Sequence, residues 1–190
     1  MCLALQYVCM STQKTALREF GSVEDNALRM DTDKAAQIVD AINTDLAATY
    51  VLYHQLKKHH WNVTGAEFRD LHLFLGDAAE NAETIADELA ERAQALGGTP
   101  VAGGAALEEH APVEPEGEDI YDIRTSLEND LAVYGDIIES LRDHVELAEQ
   151  FGDYATSDML KDTLVDVEED AHHIEHYLEA DTLVLDSATQ

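Results

Sequence analysis

His60 and His72 are two imidazoles twelve residues apart, and Asp87 and Glu91 are two carboxylates four residues apart further along the chain. Mixed nitrogen and oxygen ligands of this kind suit iron and similar first-row metals. The four residues are therefore candidate metal ligands. For the two carboxylates alone, a solvated acidic helix face is an equally good interpretation.

Four long helical patterns must position these side chains, and no stretch alternates convincingly in the manner of a strand. We predict helices from caps at 31–33 to about His60, from about Glu67 to Leu96, from a cap at Asp119 onward, and from after Gly152-Asp153 to about Ala180. Asn62 and Gly65 interrupt the pattern between the first two.

Residues 97–119 form a long connection with room for a short helix around Ala105 to His110. Two helical pairs joined by one long connection are typical of an all-α, ferritin-like four-helix bundle. We predict one such domain over residues 31–180, with loosely ordered tails at 1–30 and 181–190.

The spacing of the candidate ligands constrains their geometry. His72 and Asp87 are 15 residues apart on what should be one helix, so about 22 Å separates them along its axis. A metal with bonds near 2 Å cannot be held by both from the same chain. Either the four residues form no common site, or the histidines of one subunit face the carboxylates of a two-fold partner.

A di-iron site inside the bundle is the obvious rival. That design uses inward-facing Glu residues and a Glu-x-x-His motif on two of the helices. The only such motif here is Glu169–His172 on the fourth helix. The second helix has none, and its acids lie opposite its apolar side, so the rival is disfavoured.

The charge is extreme, with 40 acidic against 11 basic residues and a net charge of −29. A chain this acidic repels polyanions, so direct DNA binding is disfavoured. Acids spread over the length suggest adaptation to a high-salt cytoplasm, where the Debye length shrinks to about 3 Å. An ordinary acidic protein is the alternative.

The first ten residues are apolar but too short to span a bilayer, and they lack the basic region of a secretory signal. We therefore expect a cytoplasmic protein without a membrane segment. Cys2 and Cys9 are unsuited to a structural disulfide in that compartment. Both precede Met10, which is a plausible alternative start to Met1.

Residues 60–72 read His-Trp-Asn-Val-Thr-Gly-Ala-Glu-Phe-Arg-Asp-Leu-His, and residues 87–92 read Asp-Glu-Leu-Ala-Glu-Arg. Both segments and their spacing resemble the Dps family, the DNA-binding proteins from starved cells within the ferritin-like superfamily. The helical layout extends the likeness over roughly residues 31–180, and the acidity suggests a haloarchaeal member.

The resemblance implies a hollow dodecamer built from two-fold dimers. Its interfaces would oxidise Fe(II), usually with hydrogen peroxide, and store ferric mineral inside. Carried over, His60 and His72 are iron ligands from one subunit, and Asp87 and Glu91 are ligands from its partner. Trp61 would lie beside the iron and supply or trap an oxidising equivalent, or else serve as a packing anchor.

Two further clusters of polar residues each have two possible interpretations. Glu80 and Glu83 extend the carboxylate stripe and could nucleate ferric mineral if that face lines the cavity; plain acidic surface is the alternative. Glu169, His172, His173 and His176 form a polar stripe that could line an iron path, or could be a solvent-exposed histidine surface. His59 is expected to be a residue behind the ligands or at the surface, and His54, His110 and His144 receive no role.

The leading prediction is therefore a ferroxidase and iron-storage cage that protects against oxidative damage, with iron bound between two subunits. A nucleoid-associated, DNA-protecting cage is the alternative, which the net charge disfavours. Many family members bind DNA through a basic N-terminal tail, whereas residues 1–30 hold three acids and three bases. A passive cage that binds metal without turnover is a third possibility.

Overall fold

The computed structural model describes residues 15–179. These residues form five helices and no strand: α1 (Thr32–Asn62), α2 (Phe68–Ala95), α3 (Gly104–His110), α4 (Ile123–Phe151) and α5 (Tyr154–Glu179). The predicted all-α, four-helix bundle with a short helix in its long connection is confirmed. Met1, Met10, both cysteines and residues 181–190 lie outside the described residues.

The bundle consists of two antiparallel hairpins. α1 packs along α2 and α4 along α5, and α1 and α4 join the two pairs. The long connection carries α3 across α1. The predicted apolar stripes meet in one core, in which Ile42, Leu46, Leu75, Leu89 and Leu127 are fully buried.

Two helix ends illustrate how local chemistry sets the boundaries. Asp31 caps α1 by accepting hydrogen bonds from the backbone N–H groups of Asp33 and Lys34, as its position suggested. The predicted cap Asp119 is wrong. α4 begins four residues later, where the Asp122 carboxylate accepts hydrogen bonds from the backbone and hydroxyl of Thr125. These bonds to the ionised form lower the pKa of Asp122.

Residues 15–30 contain no helix, but they are attached more closely than a loose tail would be. Arg18 Nη1 donates to the carbonyl of Gly98 at 2.7 Å, and the backbone N–H of Glu24 donates to that of Gly97 at 3.1 Å. Gly97 has φ +90°, and a Cβ there would collide with the Glu24 backbone. The glycines that end α2 therefore also receive the N-terminal segment.

Among the helices of residues 15–179, none is both long and apolar enough to cross a membrane.

Candidate metal centre

The tight turn between α1 and α2 brings His60 and His72 together. The first lies in the last turn of α1 and the second in the early turns of α2, and Gly65 in the turn has φ +117°. The two imidazole rings stack with their centroids 3.9 Å apart and their planes inclined by 17°. The predicted proximity of the two imidazoles is therefore seen within one chain.

Each histidine is locked by the backbone of the other. His60 Nδ1 donates to the carbonyl of His72 at 2.6 Å, and His72 Nδ1 donates to the carbonyl of His60 at 2.8 Å. A carbonyl oxygen can only accept, so both Nδ1 atoms carry hydrogen. In the neutral rings the lone pairs are therefore on Nε2, as metal ligation requires.

The rings are further confined by their neighbours. Phe68 stacks on the other face of His72, with ring centroids 5.1 Å apart. Gly76 lies beside His60, and a Cβ at that position would come within 3.0 Å of His60 Cε1. Both imidazoles remain partly exposed, so the pair is preorganised but open.

Trp61 follows His60 and is 69% exposed. It lines a cleft of about 380 Å³ together with Ile120 and Tyr121, which lie just before α4. In the single chain this indole is therefore a surface group and not a core packing anchor.

The carboxylates are placed elsewhere. Asp87 and Glu91 are exposed on α2, on the side away from Leu89 and the core, and Glu80 and Glu83 are exposed on the same helix. Within residues 15–179 of one chain, no group of three or more His, Cys, Asp or Glu residues is placed to hold a metal. The structure thus brings the two histidines together, and the helical rise places Asp87 about 22 Å from His72 along α2, with Glu91 one turn further.

His59, beside the pair, belongs to a buried ionic cluster that spacing did not reveal. Only 4% of the residue is exposed, so the predicted alternative of a surface position is wrong. Its Nδ1 donates to Asp130 at 2.8 Å and its Nε2 donates to Glu116 at 2.5 Å. Gln55 also donates to Asp130 at 2.9 Å, and Lys58 bonds Glu116 at 2.8 Å.

Both ring nitrogens of His59 donate to carboxylates, so the ring is an imidazolium. Burial alone would lower the pKa of His59, but the hydrogen bonds and charges of Asp130 and Glu116 outweigh it and raise that pKa. For Glu116 the signs are reversed. Burial alone would raise the pKa of Glu116, but the hydrogen bonds and charges of Lys58 and His59 outweigh it and lower that pKa. The cluster ties the end of α1 to α4 and to the connection before it.

His144, for which the sequence predicts no role, has a partner on α1. Its Nδ1 donates to Asp45 Oδ2 at 2.7 Å, and Ser140 donates to Asp45 Oδ1 at 2.7 Å. The Asp45 side chain is fully buried. A sequence signal existed for both buried acids, because Asp45 and Asp130 fall on the apolar sides of their helices.

The bundle centre holds no di-iron ligand set among the described residues. Asp170 accepts hydrogen bonds from Tyr134 at 3.2 Å and from Asn81 at 3.3 Å. Burial raises the pKa of Asp170. The two recorded partners of this carboxylate are therefore neutral groups, the hydroxyl of Tyr134 and the amide of Asn81.

On α5, Glu169, His172, His173 and His176 are all exposed. The Nε2 atoms of His172 and His176 lie 3.1 Å apart. The ring of His173 turns instead toward Phe74, edge to face at 5.8 Å. The structure therefore brings the Nε2 atoms of His172 and His176 together, and the His173 ring lies beside that of His172 with the centroids 6.5 Å apart.

Comparison with known proteins identifies the fold. Residues 39–184 match the model of the Ferritin-like domain family. The chain is 66% identical over 182 residues to the DNA protection during starvation protein of Halobacterium salinarum, covering 95% of this chain and 100% of that protein. It is 36% identical to the nutrient stress-induced DNA-binding protein of a Nostoc species, covering 93% and 96% of the two.

Solved structures agree. An archaeal Dps homologue from Halobacterium salinarum superposes with a TM-score of 0.87 at 66% identity, over 94% of this chain and 99% of that one. DpsC from Streptomyces coelicolor gives 0.86 at 28% identity, over 90% and 99%. A Dps protein from Vibrio cholerae, described as a member of a superfamily of ferritin-like diiron-carboxylate proteins, gives 0.77 at 26% identity, over 85% and 99%. With these matches over nearly its whole length, the chain belongs to the Dps family of ferritin-like proteins, as a haloarchaeal member.

Proposed function

We propose that this protein is a ferroxidase that oxidises Fe(II) at sites formed between two subunits and stores the ferric product in a homo-oligomeric cage. Hydrogen peroxide is the proposed oxidant, with dioxygen as the alternative. The observation that carries the proposal is the His60–His72 pair, whose Nδ1 atoms are occupied by reciprocal bonds and whose Nε2 atoms are left for a metal.

The missing ligands support a two-fold site. Asp87 and Glu91 carry the remaining charge and oxygen donors but lie far along α2 from the histidines of their own chain. An isologous dimer with antiparallel α2 helices would place Asp87 and Glu91 of the partner subunit beside His60 and His72, and the reverse, making two sites at once. The proposed cage is a dodecamer assembled from six such dimers.

The surface around the histidines fits a partner of the same chain. Trp61, Phe68 and Leu73 are 69%, 47% and 52% exposed in the single chain. Aromatic residues are enriched where proteins meet. A second copy docked over this region would bury these apolar side chains and bring its carboxylates to the imidazoles.

The chemistry follows from the ligand set. Two Fe(II) ions each lose one electron, and the two electrons break the O–O bond of one hydrogen peroxide molecule. With two protons taken up, the products are two Fe(III) and two water molecules. The reaction consumes both reactants of hydroxyl-radical formation, which would protect a cytoplasm from oxidative damage.

Other residues complete the proposal. Trp61 would supply an electron when the oxidant is not fully reduced by iron. Glu80 and Glu83 would bind Fe(III), because hard cations favour clustered oxygen ligands. The α5 stripe of Glu169, His172, His173 and His176 would lie on the iron path.

A DNA-protecting cage without iron turnover is the second candidate, favoured by the names of the relatives. Phosphate binding requires available cations, and residues 15–179 hold ten Lys and Arg side chains. Six of these ten are in ion pairs with the protein's own acids: Arg18, Lys58, Arg92, Arg124, Arg142 and Lys161. We therefore place DNA binding second.

The test is stopped-flow oxidation of Fe(II) by peroxide. We expect His60→Ala and Asp87→Ala each to slow the reaction by at least about tenfold, because even residues behind metal ligands typically cost 10–100-fold. His54→Ala and Glu88→Ala are matched controls on the same helices and should react like wild type. Equal rates in wild type and both site variants would contradict the proposal and leave a passive cage.

Mixed dimers test the shared site. One His60→Ala and one Asp87→Ala subunit together make one intact site and one doubly damaged site. Random mixing in equal amounts should therefore restore about a quarter of the wild-type sites. If verified mixed dimers recover no activity, the ligands do not come from two subunits.

A further inference from the structure

We infer that His172 and His176 form a chelating site on α5 for a late divalent transition metal, at which Zn²⁺ binds more tightly than Fe²⁺. This goes beyond the proposed ferroxidase function, since it needs neither the dimer nor the His60–His72 pair. The pair is part of the α5 stripe proposed above as an iron path, and it would bind a metal other than the substrate there.

The distance between the two donor atoms is the first argument. His172 Nε2 and His176 Nε2 lie 3.1 Å apart. Zn–N bonds of about 2.0–2.1 Å at tetrahedral angles place two nitrogens about 3.3 Å apart. The rings therefore hold nearly the separation that one ion requires. In the free pair one Nε2–H donates to the other nitrogen, and a metal would replace that proton.

The orientation of the rings is the second argument. His172 Nδ1 lies 3.7 Å from a carboxylate oxygen of Glu175, and His176 Nδ1 lies 3.2 Å from one of Glu179. A carboxylate at the distal nitrogen orients a ligating imidazole and raises its basicity. Each histidine has an acid three residues further on, at ion-pair rather than hydrogen-bond distance for His172, and the two Nε2 atoms face each other.

The helix supplies the third argument. Residues four apart lie on the same helix face, one turn above the other. The side chains of His172 and His176 are 59% and 57% exposed, so an ion can reach them with its hydration water. Because both ligands stand on one helix, the ion would also clamp the last described turns of α5.

The donor type selects the metal. Two neutral imidazoles suit zinc and copper, and affinity for a given site rises from Fe²⁺ toward Cu²⁺, with Zn²⁺ also above Fe²⁺ in most nitrogen sites. The interfacial site proposed above adds carboxylate oxygens and is therefore better suited to iron. The two histidine pairs would thus prefer different metals, because carboxylates complete the coordination at one pair and water completes it at the other.

The test is calorimetric titration of the metal-free full-length protein with Zn²⁺. The His60→Ala/Asp87→Ala double variant is the background, so that the interfacial site does not contribute. We expect about one ion per subunit, and His176→Gln should weaken its binding at least about tenfold, since a ligand matters more than the groups behind it. Fe²⁺ under anaerobic conditions should bind this background more weakly than Zn²⁺.

His54→Gln is the matched control, because it removes an exposed histidine on α1, a helix other than the one that carries the pair. It should bind Zn²⁺ like the background. Co²⁺ gives an independent readout, through visible absorption that shifts with imidazole ligation and is lost in His176→Gln. Equal Zn²⁺ binding by His176→Gln and His54→Gln, or tighter binding of Fe²⁺ than Zn²⁺, would overturn the inference. Neither result would affect the interfacial site, which the oxidation rates test separately.

Discussion

The His60–His72 pair and the His172–His176 pair both bring two imidazole rings together, but by different means. The first joins two helices across a turn, and each ring is fixed by the other's backbone carbonyl. The second stands on one exposed helix face, with carboxylates beside both Nδ1 atoms.

The two pairs differ in how far their geometry depends on the tertiary structure. The pair on α5 needs only a helix, because the α-helical repeat itself places residues four apart on one face. The pair at the α1–α2 turn depends on the packing of α1 against α2. It also depends on the buried ionic cluster of His59, Asp130 and Glu116, which holds the end of α1 in place. Changes in the tertiary structure should therefore affect the first pair and spare the second.

Asp130→Ala should have the largest effect. It leaves His59 and Gln55 without their buried partner, and breaking one member of a buried ion pair costs about 3–5 kcal/mol of unfolding free energy. Iron oxidation should slow because the end of α1 that carries His60 loses its anchor, whereas Zn²⁺ binding on α5 should not change.

Chemical denaturation in high salt measures the stability change, with Fe(II) oxidation and Zn²⁺ titration on the same samples. Asp136→Ala is the control, because Asp136 is exposed on the same helix and should change stability by no more than about 0.5 kcal/mol. Equal stability loss in both variants would mean that the cluster does not anchor α1.

Gly76→Ala should have a smaller effect than Asp130→Ala. It should maintain or raise the stability and weaken the binding of metal. Alanine favours a helix over glycine by about 1 kcal/mol, but its Cβ would come within 3.1 Å of His60 Nδ1. The ring must move by a few tenths of an ångström, so Fe(II) should bind several-fold more weakly while the unfolding free energy is maintained or rises.

Gly135→Ala is the matched control on α4, because a Cβ there meets nothing within 4 Å. It should gain stability without any change in iron binding. Anaerobic Fe(II) titration and denaturation of both variants provide the comparison. If the two glycines respond alike in iron binding, close packing at Gly76 does not position His60.

The smallest effect concerns a third histidine, His144, which holds α1 to α4 through Asp45. Burial alone would lower the pKa of His144, but the hydrogen bond and charge of Asp45 outweigh it and raise that pKa, with Asp143 and Asp40 adding to the rise. A pKa raised on folding gives stability that is full below the unfolded value, about 6.5, and is lost as the pH rises through the folded value.

The stability difference between wild type and His144→Ala should therefore be greatest near pH 6 and decrease above it. Urea denaturation at several pH values measures this difference. His110→Ala is the control, because His110 Nδ1 donates only to a carbonyl within its own helix. A difference that grows with rising pH would contradict the ion pair.

The sequence predicted the helices well because their signals are local. The Asp31 cap, the turn at Gly65 and the Gly152 break all lie where the chain pattern placed them. Asp119 failed as a cap because several acids precede α4, and only the one directly before Ile123 can reach the first free N–H groups.

The sequence did not predict the buried histidine–carboxylate pairs, because the two members of each pair are far apart in the chain and no regular spacing relates them. His59 and Asp130 are 71 residues apart, and Asp45 and His144 are 99 apart. An acid on an apolar helix face was a signal that something must neutralise it, but spacing could not say which histidine did so.

The sequence by itself determined that His72 and Asp87 stand on one helix too far apart to share a metal, because the rise per residue of an α-helix is fixed. Only the tertiary structure decided that His60 and His72 lock each other's Nδ1 atoms, that Gly76 leaves space for a ring, and that His59 is a buried cation. Those features depend on contacts between helices, and contacts between helices are set by packing rather than by spacing along the chain.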